Sequence, residues 1–288
     1  MFIKEGSKVL VSDLIKGMVI QSGNDASCAL AEHVASSEEG FVQLMKVYIK
    51  DMGLVNTNFV NVTGWPDPNH YSSARDLAIL SKKVIAEFPE HYALYKEKYF
   101  TYNDIKQRNR NSLLWQDDSI DGMKTGHTES AGYCQISSGV RNDTRLIAVT
   151  LKSDSQKQRL TDSRRLIDYG FRYFRTKKIL SRGKILREEA IWGGELEAVN
   201  LSSSEDVFLT LSPRDFKRVE PVLELNDYLQ APIVQGQVVG KINLSLDGEL
   251  IESVDLISLT GVSALGFFGR AWSNTKLLAY RFLTEEES

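Results

Sequence analysis

Two short runs carry side chains suited to acyl transfer: Ser22-Gly23-Asn24 and Lys124-Thr125-Gly126. A serine attacking a peptide carbonyl needs a base for its hydroxyl, a proton donor for the leaving amine and donors for the oxyanion. Ser22, as a second serine beside a nucleophile, can relay the proton, and the Asn24 amide can orient a substrate amide. The Lys124 ammonium can keep that relay polarised and attract a terminal carboxylate, to which the Thr125 hydroxyl can donate. Gly126 leaves a strand edge open for an extended peptide. Taken singly, each run is bland, and S-G-N is more often an ordinary turn. Their order and their placement on predicted elements carry the chemical reading.

Those elements follow from apolar spacing. Ser12 is placed to cap a helix over Leu14–Ile20, and a second short helix covers Asp25–His33, so Ser22-Gly23-Asn24 falls at the break. Ser36 or Ser37, followed by Glu38 and Glu39, opens a longer helix that Gly53 closes. Asn61–Tyr71 is dense in turn formers and reads as a loop. Ser73 caps an amphipathic helix running to about Phe88, where Pro89 helps stop it.

From Tyr99 the pattern changes. Tyr133–Val140 and Arg145–Leu151 form a hairpin across Arg141-Asn142-Asp143, and Lys124-Thr125-Gly126 leads toward it. Gln156–Phe174 returns to helical spacing. Helices around an antiparallel sheet are the simplest architecture for residues 1–175, an α+β arrangement. Residues 178–262 alternate in short runs such as Val207–Leu211, Val238–Ile242 and Leu250–Ile257, broken by turns such as Asp247-Gly248, and predict a separate all-β sandwich. A helix over 266–283 ends the pattern.

Composition narrows the function classes. The chain is 42% hydrophobic and 25% charged, enough for a packed core. Its net charge of -3 argues against a nucleic-acid partner. The two cysteines, Cys28 and Cys134, lack metal spacing and are most simply buried small residues. His33, His70 and His91 are scattered and read as surface or packing residues. Neither metal nor cofactor is expected. The stretch MFIKEGSKVL is not a secretory signal, and no run is apolar for long enough to span a bilayer.

The stretches Ile20–Ala26, His70–Leu77, Asn109–Trp115 and Gly122–Thr128 resemble the low-molecular-mass penicillin-binding proteins that act as D-alanyl-D-alanine carboxypeptidases. The resemblance runs essentially end to end. It implies a serine acyl-enzyme that removes the terminal D-alanine from peptidoglycan stem peptides, with pentapeptides ending in D-Ala-D-Ala as partner and β-lactam antibiotics as inhibitors of an intact form. It implies Ser22, Asn24 and Lys124 as catalytic residues and Lys124, Thr125, Gly126 and His127 as the substrate-binding set. It also places Arg110 near the cleft rim, where a solvated arginine is the competing reading. A serine β-lactamase ranks lower, because the loop Gly64–Asn69 lacks the deacylating glutamate of the class A enzymes.

One element departs from the family pattern. The nucleophile and base of the family lie in an S-x-x-K motif well before S-x-N, and no such tetrad precedes Ser22 here. Ser181–Lys184 and Ser273–Lys276 match the tetrad but fall outside the expected catalytic domain, as decoys. Met1 resembles an internal methionine of the family, so residues 1–175 are expected to be a DD-peptidase domain lacking its N-terminal segment. An inactive remnant or peptidoglycan-binding module is the alternative reading.

The terminal helix sorts Phe267, Phe268, Ala271, Trp272, Leu278, Ala279, Phe282 and Leu283 to one face. Arg270, Ser273, Asn274, Lys276 and Arg281 fall on the other, with Leu277 and Tyr280 as exceptions. Packing on the β domain is one reading. The resemblance favours an anchor on a membrane surface, at the periplasmic face of the inner membrane where a signal exports the chain, and in the cytoplasm if Met1 is the true start.

Overall fold

The apolar spacing between Val11 and Asp51 forms three helices: α1 (Val11–Gln21), α2 (Asn24–Ala35) and α3 (Glu38–Asp51). The Ser37 hydroxyl caps α3 by accepting the Gly40 amide at 3.0 Å. Ser73 caps α4 (Ala74–Glu87) by accepting the Asp76 amide at 3.1 Å. Each such cap contributes about 1 kcal/mol. Ser12 is not a cap: it lies inside α1, and the cap position is Leu10, which offers no side-chain acceptor. That helix start is set by packing, because Leu14, Val19 and Ile20 go into a core with Ala26, Phe100 and Met1. Pro89 does more than end α4; it opens the single turn α5 (Pro89–Tyr92), where its missing amide costs nothing.

A hairpin that the apolar pattern did not announce follows, β1 (Tyr99–Tyr102) and β2 (Ile105–Arg108). Its strands are four residues each and mostly exposed, so alternation is weak. The turn Asn103-Asp104 is left-handed at both positions, as two-residue hairpins require. The expected hairpin over residues 133–151 is present as β4 (Gly132–Arg141) and β5 (Thr144–Ser153), joined through left-handed Asn142 and Asp143. The preceding strand β3 (Ile120–Thr128) pairs antiparallel with β4, giving a sheet ordered β3-β4-β5. Helix α6 (Gln156–Tyr173) covers this sheet: Ile167 and Phe171 pack with Leu113, Leu114, Ile120 and Ala148.

The computed structural model describes residues 1–285, which divide into a first unit, Met1–Arg172, and a second beginning at Tyr173. The second contains β6 (Arg175–Leu180), β7 (Arg187–Trp192), β8 (Ala198–Ser203), β9 (Val207–Leu211), β10 (Val219–Leu225), β11 (Leu229–Gln230), β12 (Val238–Leu246) and β13 (Glu249–Ser258). Six strands form a sheet ordered β10-β12-β13-β8-β7-β11, and β6 and β9 form a ribbon. Leu180, Val207 and Leu209 from the ribbon share one core with Leu201, Ile242, Leu244 and Leu256 from the sheet. Fully burying each such side chain contributes about 1.5–3 kcal/mol.

Helix α7 (Phe267–Glu285) follows. Leu277, an exception to the predicted faces, is only 5% exposed, and the Ser273 hydroxyl accepts the Gly193 amide at 2.7 Å. Phe267, Phe268, Trp272 and Leu278 are all exposed. The helix therefore docks through the turn bearing Ser273 and Leu277 and presents its aromatic face outward. The predicted placement of the Asn274, Ala279, Tyr280, Arg281, Phe282 and Leu283 side chains lies outside the described residues. No helix among the described residues is long and apolar enough to cross a membrane.

Candidate active site

Helix α1 ends at Ser22, which adopts a left-handed conformation with φ 56° and ψ 44°, its amide bonded to the Met18 carbonyl at 3.1 Å. A residue with a Cβ pays about 1–2 kcal/mol for this conformation. The surroundings hold it there. Gln21 is buried and its Nε2 donates to the Arg108 carbonyl, while Arg110 Nε donates to the Gln21 carbonyl at 2.9 Å. The break between α1 and α2 is thereby pinned to the end of β2.

Strand β3 brings the second run to the same place. Lys124 Nζ donates to Ser22 Oγ across 102 residues of sequence, and to the Thr125 carbonyl at 2.9 Å. Burial, with added repulsion from Arg110 and Arg159, pushes the Lys124 ammonium down to about 8. Thr125 is only 8% exposed. Gly126 is exposed, and a Cβ built there would meet nothing within 4 Å, so the missing side chain leaves open space beside the strand. Among the described residues β3 pairs only with β4, which leaves its other edge free. Asn24 begins α2 with its side chain exposed. His127 is exposed and sits 3.8 Å, centroid to centroid, from the Tyr133 ring on β4.

A buried amide network fixes β3 from behind. Asn111 Nδ2 donates to the Gly122 carbonyl at 3.0 Å, and Asn111 Oδ1 accepts from the Leu113 amide and from Gln135 Nε2. Gly122 has no alternative, because a Cβ there would lie 2.5 Å from the Tyr92 hydroxyl. That hydroxyl donates to Asp121 at 2.7 Å, and Arg145 clamps both Asp121 oxygens at 3.0 and 2.7 Å.

Arg159 is not among the site residues named from the sequence. It belongs to the buried stripe of α6 with Ser163, Ile167 and Phe171, is 6% exposed, and its Nε has no hydrogen-bond partner among the described residues. Burial lowers its pKa, and its guanidinium lies 5.8 Å from the Tyr133 ring. Through Tyr133 it is linked to His127, and its charge reaches Lys124. The signal was present in the sequence: an arginine on the stripe of an amphipathic helix that should be apolar.

The other candidates separate clearly. Arg110 is exposed, as a solvated arginine would be, and it also holds the Gln21 carbonyl and repels the Lys124 ammonium. His70 stacks on Phe59 and accepts the Val60 amide, a packing role. Cys28 and Cys134 are half-buried rather than buried. No group of three metal-ligating side chains converges among the described residues. Ser181–Lys184 forms a tight turn, with the Lys184 amide bonded to the Ser181 carbonyl, rather than the helix start that S-x-x-K chemistry needs. In the second tetrad the Ser273 hydroxyl is engaged by Gly193.

A serine and a lysine from S-x-N and K-T-G runs, joined beside an open strand edge on a helix-covered antiparallel sheet, define a class: the penicillin-interacting serine acyltransferases. Residues 1–155 match the D-alanyl-D-alanine carboxypeptidases of peptidase family S11, and residues 174–264 match the penicillin-binding protein 5 C-terminal domain. D-alanyl-D-alanine carboxypeptidase DacA of Haemophilus influenzae is 43% identical over 275 residues, covering 94% of this chain and 70% of the relative. The structure of penicillin-binding protein 5 from Haemophilus influenzae superposes with a TM-score of 0.81 at 42% identity, over 91% of this chain and 77% of that one. Penicillin-binding protein D2 of Listeria monocytogenes, solved in an ampicillin-bound form, is 30% identical with a TM-score of 0.53, over 57% of this chain and 68% of that one. The chain belongs to the D-alanyl-D-alanine carboxypeptidase family of serine-type peptidases.

Proposed function

We propose that this site acts in a serine acyl-enzyme mechanism that removes the terminal D-alanine from peptidoglycan stem peptides, and that β-lactams occupy it as inhibitors. The Lys124–Ser22 hydrogen bond carries the reading, because it joins the two runs into one proton-relaying pair. Ser22 passes a proton between the nucleophile and the leaving amine, and Lys124 keeps its hydroxyl polarised. Asn24 orients the scissile amide. The free edge of β3 at Gly126 accepts the extended substrate, Thr125 and His127 hydrogen-bond it, and the Lys124 and Arg159 charges attract its carboxylate. The nucleophile comes from the S-x-x-K segment that the family resemblance places before S-x-N. The ampicillin-bound Listeria relative supports β-lactam binding.

The test is to join the S-x-x-K-bearing segment of the Haemophilus relative to the N-terminus of this chain and measure D-alanine released from an N-acyl-D-Ala-D-Ala peptide. Release that depends on the serine of that segment is expected. A folded, joined chain that releases none, and forms no adduct with labelled penicillin, overturns the proposal.

The exposed aromatic face of α7 supports a second part of the proposal, attachment to an anionic membrane surface at the periplasmic face of the inner membrane. Phe267, Phe268 and Trp272 are 78%, 86% and 67% exposed. Aromatics of this kind partition to the headgroup level, with Arg270 and Lys276 adding roughly 1 kcal/mol each against anionic lipid. The chain should co-sediment with phosphatidylglycerol-containing liposomes, and a version ending at Leu265 should remain in the supernatant. Equal partition of the two would reduce the helix to a packing element.

A further inference from the structure

The loop from Asn61 to Tyr71 takes no part in the acyl-transfer site, yet its backbone is fixed in detail. Asn61 Oδ1 accepts the amides of Thr63, Gly64 and Trp65 at 3.2, 2.7 and 3.0 Å, and Asn61 Nδ2 donates to the Trp65 carbonyl at 2.9 Å. Asp67 Oδ1 accepts the Asn69 amide at 2.7 Å, and Asn58 Nδ2 donates to the Asn69 carbonyl at 2.7 Å. Asn58 and Tyr71 exchange amide–carbonyl bonds of 2.9 Å that close the loop. Pro66 and Pro68 restrict two further φ angles. The anchor beneath is the Phe59–His70 stack.

What this frame holds is a solvent-exposed indole. Trp65 is 70% exposed, and its neighbours Gly64, Pro66, Asp67, Pro68 and Asn69 are exposed as well. A protein-binding hot spot is ringed by residues that exclude water, whereas this indole is flanked by a glycine, two prolines, an aspartate and an asparagine, all themselves exposed to solvent. Among the described residues, Asp67 Oδ2 and the Asn69 side-chain amide make no hydrogen bond, the loop using only Asp67 Oδ1 and the Asn69 backbone. A flat aromatic face in the same fixed, exposed loop as a carboxylate with one oxygen to spare and a side-chain amide matches a pyranose ring, which has an apolar C–H face and an equatorial rim of hydroxyl and acylamino groups. Fixing the loop in advance removes the ordering cost from the binding step.

We infer that Trp65, Asp67 and Asn69 form a glycan platform that binds the β-1,4-linked N-acetylhexosamine strand to which stem peptides are attached. Trp65 stacks on one sugar face, and Asp67 and Asn69 bond its hydroxyl and N-acetyl groups. The choice of this sugar rests on the proposed wall-peptide substrate; the platform geometry does not.

The test uses the full 288-residue chain titrated with chitotetraose, followed by calorimetry and indole fluorescence. Saturable binding with a blue-shifted indole signal is expected, weakened by about tenfold or more in Trp65→Ala. Trp65→Tyr should recover part of the affinity, Asp67→Ala should lose part of it, and Lys124→Met should bind as the parent does. Trp65 is exposed, so an unchanged melting curve for Trp65→Ala will show that its fold is intact. Absence of saturation by about 10 mM, or equal affinity in Trp65→Ala, overturns the inference. Glycan binding without D-Ala-D-Ala hydrolysis in the joined chain would sink the proposed function alone; hydrolysis without glycan binding would sink the platform alone.

Discussion

A polypeptide of these 288 residues, incubated with labelled penicillin at pH 7 and at pH 9, should carry no covalent label by intact-mass analysis. Acylation needs a nucleophilic oxygen with its own base, and no S-x-x-K tetrad lies in Met1–Arg172. Loss of the nucleophile from a catalytic unit that acts as a whole costs on the order of 10⁶ in turnover. Ser22 does not stand in for it. Its hydroxyl already accepts from Lys124, and at pH 7 that lysine is an ammonium, a donor rather than a base. The pH 9 arm is the stricter one, since Lys124 is then largely neutral and could take a proton from Ser22. An adduct mapped to Ser22 at either pH would overturn the assignment of Ser22 as a relay.

The second large effect belongs to Lys124. In a chain joined to an S-x-x-K segment, Lys124→Met should lower kcat/KM by roughly 10²–10³, the usual consequence of removing a buried charge from a hydrogen-bonded pair. The parent's kcat/KM should fall as pH rises through about 8, where the ammonium that attracts the substrate carboxylate is lost. The stability effect has the opposite sign. Burial holds the folded-state pKa near 8, below the ordinary 10.5, so between these values the unfolded chain binds more protons than the folded one. Lys124 therefore makes the parent more stable as pH rises from 8 to 10.5, by up to about 3 kcal/mol. Lys124→Met, which keeps the length and drops the charge, should be at least as stable as the parent at pH 7 and should lose that rise in urea titrations. A variant that keeps wild-type turnover removes Lys124 from the mechanism. One that unfolds at pH 7 makes the side chain structural instead.

Local chemistry was legible in the sequence wherever one residue determines its own conformation. Ser37 and Ser73 cap helices because a serine oxygen reaches the amide three residues on. Asn142 and Asp143 make a hairpin turn because their short polar side chains tolerate left-handed backbone. Ser12 failed as a cap because the core around Leu14 and Ile20 sets that helix start, and a core is assembled from residues distant in sequence. The β1–β2 hairpin was missed because its exposed four-residue strands leave no alternation to read.

By itself, the sequence determined that S-x-N and K-T-G runs occur in this order, that an α+β portion precedes an all-β one, and that an amphipathic helix follows. Only the tertiary structure decided that Ser22 and Lys124 meet, that Leu277 turns inward while Phe267 and Trp272 stay out, and that Arg159 is buried within electrostatic reach of the lysine. The reason is one of range. Caps and turns are settled by hydrogen bonds a few residues long, whereas the depressed pKa of Lys124 arises from removing water around it, which no single segment can do without the others packed against it.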